Sequence, residues 1–99
     1  MIEPTQVDGK RILVGITREH VSGKVSQEQF VGVARIEDGN DLCLIVIECA
    51  DGETREYPFD NRALTKAAPG EYRLRSSGEI VNNPDYLMTW IVSEGKPEE

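Results

Sequence analysis

The run from Leu42 to Cys49 reads Leu-Cys-Leu-Ile-Val-Ile-Glu-Cys, and no other stretch limits the possible folds so tightly. Asp38-Gly39-Asn40-Asp41 precedes it, Asp51-Gly52 follows it, and β-branched residues fill its middle. That combination predicts a central β-strand held between two hairpin turns.

Neighbouring segments extend the pattern. Ile12, Val14 and Ile16 alternate with Arg11, Leu13, Gly15 and Thr17, which predicts a first strand over 11–17. Over 27–37, Phe30, Gly32, Ala34 and Ile36 point one way while Val31, Val33 and Arg35 point the other. Residues 53–59 supply a further strand, so the second to fourth strands form an antiparallel meander. The Asp/Gly/Asn turn then pairs even-numbered residues of 27–37 with odd-numbered residues of the central run.

Two faces follow. One gathers Val31, Val33, Leu42, Leu44, Val46, Tyr57 and Phe59, with Glu48 opposite Arg55 if Asp51-Gly52 is a two-residue loop. Because this face carries both aromatics it is expected to be the core. The other gathers Phe30, Gly32, Ala34, Ile36, Cys43, Ile45, Ile47 and Cys49, and it is too apolar to be left in water. Either the C-terminal strands fold over it or another subunit does.

After Phe59, Asp60-Asn61 is positioned to cap a short helical piece that Pro69-Gly70 ends. A strand over 71–75 carries Tyr72 and Leu74 on one side, 79–81 is too short to assign alone, and Asn82-Asn83-Pro84-Asp85 is a turn. The last strand, 86–93, sets Tyr86, Met88, Trp90 and Val92 against Leu87, Thr89, Ile91 and Ser93. Apolarity on both of its sides places it inside the sheet or under a partner.

The whole chain, 99 residues, is expected to be a single β domain with flexible termini at 1–9 and 94–99. Its fold class is all-β, a small antiparallel barrel or sandwich of about five to six strands with one short helical turn. That order of elements is similar to the layout of SH3-like barrels, in which a 3₁₀ turn precedes the final strand. Fold likeness of this kind does not carry function.

Charge narrows the partners. A net charge of −7 repels phosphate backbones and anionic lipids alike, so nucleic acid and membranes are disfavoured. Cys43 and Cys49 lie six strand residues apart, roughly 20 Å, which is too far for a disulfide. With no signal-peptide pattern, a reducing cytoplasm is the expected compartment.

Chemistry is scarce. His20 with Glu19 and Asp8 is a poor metal site, because it offers a single imidazole. No Gly-x-Ser-x-Gly elbow or phosphate-binding glycine loop occurs, and the acids at 37–38 and 51–53 suit turns better than acid–base work. No cofactor is expected. These observations favour a non-enzymatic protein-binding or assembly module acting as a homodimer, with Phe30, Ile36, Cys43, Ile45 and Ile47 as its candidate interface. An alternative is a ligand-binding barrel or small enzyme whose pocket is lined by Tyr72, Tyr86 and Trp90. A third is a single-stranded nucleic-acid binder that stacks bases on those aromatics beside Arg73 and Arg75.

Overall fold

A computed structural model of the chain describes residues 2–39, 41–75 and 77–94. The fold is a small all-β one. Strands β1 (Arg11–His20), β2 (Val25–Asp38), β3 (Cys43–Cys49) and β4 (Thr54–Pro58) follow a short helix α1 (Pro4–Val7). A 3₁₀ turn (Asn61–Ala63), β5 (Leu64–Lys66), β6 (Glu71–Arg73), β7 (Ile80–Asn82) and β8 (Tyr86–Glu94) complete the described chain. Six strands form one sheet in the order β4-β3-β2-β1-β8-β5, while β6 and β7 form a separate hairpin. The large sheet does not close, since β4 and β5 end it on opposite sides.

Three glycines set the hairpins. Gly23, Gly52 and Gly78 take φ of +91°, +92° and +76°, a left-handed region that costs a side chain but not a glycine. In the β3–β4 hairpin the Cys49 N–H donates to Glu53 O at 2.8 Å and the Gly52 N–H to Cys49 O at 3.0 Å. The loop is therefore Ala50-Asp51-Gly52, one residue longer than a tight two-residue turn. Consequently Glu48 stands opposite Thr54, and Arg55 opposite Ile47. The ion pair expected between Glu48 and Arg55 is not made; Glu48 instead bonds Arg35 Nε at 3.0 Å.

That slip moves every β4 side chain to the other face. Tyr57 joins Ile45 and Ile36 rather than Leu44 and Val46. The core therefore forms on the face opposite to the one expected. Ile12, Val14, Ile16, Ala34, Ile45, Ile47, Leu64 and Met88 are buried there, with Phe30, Ile36, Tyr57, Phe59, Tyr86 and Trp90 packed around them.

The sheet curls around this face. Tyr57 on β4 and Trp90 on β8 stack with ring centroids 6.0 Å apart, although a flat sheet would put their strands about 19 Å apart. Gly32 marks the bend. A Cβ there would lie 2.5 Å from Ile47 Cγ2 and 2.7 Å from Glu48 O, so only a glycine lets β3 cross β2 so closely.

The N-terminal arm is part of the core. Val7 is fully buried, Asp8 Oδ1 accepts the Ile36 N–H at 2.9 Å, and the Gly9 N–H donates to Ala34 O at 2.7 Å. A capping box helps α1 to form: Glu3 N–H donates to Gln6 Oε1 at 2.7 Å and Pro4 opens the first turn. Residues 2–9 are thus docked, not the free arm that their composition suggests. Residues 95–99 of the expected C-terminal tail lie outside the described residues.

On the reverse face the β6–β7 hairpin covers a second, smaller cluster. Leu13, Leu74 and Val81 are buried there, with Val31, Tyr72 and Leu87 around them. The hairpin is fastened to the sheet by Arg11, whose Nη1 donates to Asn82 O at 2.9 Å and whose N–H reaches Asp85 Oδ2 at 3.0 Å. Alongside, β8 runs parallel to β1, from Ile12 beside Tyr86 to His20 beside Glu94.

Candidate functional site

The expected aromatic pocket does not assemble. Tyr86 and Trp90 face the main core, whereas Tyr72 sits across the sheet with its hydroxyl donating to Ala68 O at 2.7 Å. Of the expected interface residues, Ile45 and Ile47 are fully buried, Phe30 and Ile36 are half-buried against the same core, and Cys43 is half-buried. The C-terminal strand, Leu64 and Val7 supply much of what covers that face.

Titratable groups serve the fold. Glu28 lies between two guanidinium groups, Arg55 Nη2 at 2.7 Å and Arg18 Nη1 at 3.0 Å, and Arg55 also stacks on Phe30 at 4.4 Å. The Arg55 bond, more than any other influence, holds the Glu28 carboxyl below its usual value. Burial raises the Tyr57 hydroxyl and both cysteine thiols, so the nucleophilic thiolate is disfavoured at Cys43 and Cys49. Asp51 Oδ1 accepts the Glu53 N–H at 3.0 Å, which is the work of a turn. Asp8 bonds Ile36, nearly the whole of β1 away from His20. Among the described residues, no group of three or more His, Cys, Asp or Glu side chains is placed to hold a metal ion. No helix among them is long and apolar enough to cross a membrane.

What remains is the sheet's edges. At β4, the bonded pairs Cys49/Glu53 and Cys43/Phe59 fix the alternation, so the backbone groups of Thr54, Glu56 and Pro58 point outward. Pro58 has no N–H and Glu56 adds a charge. Both features blunt an edge against another strand.

The β8 edge differs. The His20 N–H donates to Lys24 O at 2.9 Å, so even-numbered residues of β1 bond β2 and odd-numbered ones bond β8. A parallel ladder with those odd-numbered residues uses the even-numbered residues of β8. Leu87, Thr89, Ile91 and Ser93 therefore direct N–H and C=O away from β1. The Ala67 N–H bond to Asp85 O, 3.1 Å, agrees with that phase.

β5 occupies this side only from Tyr86 to Met88, and the 3₁₀ turn lies against β8 next, with Ala63 level with Thr89. Beyond it, no described strand pairs with Ile91 or Ser93. Their side chains carry no charge, and Ile91 and Val92 are 67% and 39% exposed. Val21 and Val25, at the neighbouring β1–β2 hairpin, are exposed apolar residues too. In the sequence the only trace of this edge is the two-sided apolarity of 86–93.

The chain was compared with family models, with curated proteins and with solved structures, and nothing matches it.

Proposed function

We propose that the chain is a non-enzymatic protein-binding and assembly module that works by adding a strand at the distal edge of β8. The observation that supports this reading is the pair of outward backbone sites at Ile91 and Ser93, uncharged and next to exposed Ile91 and Val92. An added strand would satisfy those groups with main-chain hydrogen bonds, while the two apolar side chains select the partner. A homodimer is the simplest such assembly. Two free thiols, Cys43 and Cys49, suit a reducing cytoplasm as its compartment. In this reading the curled sheet with its 3₁₀ turn keeps an SH3-like order of elements, and no activity is carried over from that likeness.

Isotope-labelled protein in a lysate of its native source tests the reading. Amide exchange at Ile91 and Ser93 is expected to slow relative to dilute purified protein. Exchange at both positions as fast in the lysate as in dilute buffer would overturn it.

A further inference from the structure

We infer that the strand taken up at this edge is β8 of a second copy, running antiparallel about a two-fold axis at Val92. The inference rests on the strand-addition reading and narrows it to one partner.

Geometry selects the register. The outward residues Ile91 and Ser93 are two apart, so a two-fold axis at Val92 places Ile91 of one copy opposite Ser93 of the other. Each such pair exchanges two main-chain hydrogen bonds. Val92 then meets its own counterpart at the non-hydrogen-bonded position, where Cα atoms approach to about 4.5 Å. No charged side chain falls among these three residues, so the centre of the seam is uncharged although each copy carries −7 and Glu94 lies at each end. On that side of the sheet the 3₁₀ turn stands level with Thr89 and stops any longer strand. In that register Glu94 of the second copy stands opposite Trp90, one residue short of the turn. An axis at Ile91 would instead drive Ser93 of the partner against Ala63. The Val92 axis satisfies both outward residues of both chains from within β8 itself.

The seam is short, so association is expected to be weak and reversible. Sedimentation equilibrium on the whole chain from micromolar to millimolar concentration reads it. A monomer–dimer equilibrium is expected, weakened at least tenfold by Val92→Lys, which brings two ammonium groups together on the axis. As a second readout that does not rely on disrupting the strand, Val92→Cys should oxidise to a covalent dimer, since about 4.5 Å between Cα atoms lies within disulfide range. Wild-type protein, with Cys43 and Cys49 only, controls for other thiols, and Ile91→Cys should cross-link far less. A monomer at every concentration would overturn the inference, as would a dimer indifferent to Val92→Lys or a preference for cross-linking through Ile91→Cys. If the purified chain stays monomeric while its Ile91 and Ser93 amides are protected in lysate, self-pairing fails and strand addition stands.

Discussion

The two halves of β8 have similar compositions and opposite surroundings. From Tyr86 to Met88 the strand lies between β1 and β5, with Met88 1% exposed in the core. Past the 3₁₀ turn the same strand is bonded on one side only, and Ile91 is 67% exposed. Both halves alternate large apolar side chains, so hydrophobicity does not separate them. What separates them is the length of β5, three residues against nine in β8. On β4 the fold shields its edge with Pro58 and Glu56, and here it does not.

Substitutions in each half should measure the contrast. Met88→Ala removes a buried side chain and should cost about 2–5 kcal/mol in chemical denaturation. Gly32→Ala tests the bend that carries β4 over to β8, and the close approach of Ile47 Cγ2 and Glu48 O sets its cost at about 1–3 kcal/mol. A loss of Tyr57–Trp90 stacking, visible in near-ultraviolet circular dichroism, should accompany that substitution.

Glu28→Gln comes next, at about 1–2 kcal/mol near neutral pH, because the ion cluster is partly solvated and screened. Its pH dependence has a definite sign. The folded carboxyl titrates below its ordinary 4.5, so the unfolded chain takes up the proton first as pH falls. The contribution is complete above about pH 4.5 and is lost as pH drops through the lowered folded value. The variant should therefore show a flatter acid limb in a plot of stability against pH. Smallest of all, Ile91→Ala should change monomer stability by less than about 0.5 kcal/mol, since its side chain is already in water. A cost approaching that of Met88→Ala would erase the contrast.

Local pattern made β1 to β4, β8 and their turns legible, and it put the even-numbered residues of β2 with the odd-numbered residues of β3, but it carried the helical piece through Leu64–Lys66, which is strand β5, and left β7 unassigned. One loop misled it. Asp51-Gly52 resembles a two-residue turn, but Gly52 at +92° closes a three-residue loop that begins at Ala50. The one-residue difference carried Tyr57 and Phe59 to the wrong face, and those aromatics had decided which face was core. Val7 is hard to read as core because the arm around it is mostly polar, although Glu3, Pro4 and Gln6 spell a helix start. Parallel pairing of β1 with β8 joins residues more than seventy positions apart, and no local period reports that. The open edge was hidden for the same reason. It depends on where β5 stops, which is set by tertiary packing and not by β8 itself.

Residue-resolved amide hydrogen exchange along β8 tests this most directly. Leu87, Ile91 and Ser93 all point outward, so they differ only in whether a strand lies beside them. In dilute purified protein, exchange is expected to be slow at Leu87 and fast at Ile91 and Ser93, with Trp90 and Val92 protected by β1. Equal protection of all three outward amides in the dilute monomer would contradict an open edge.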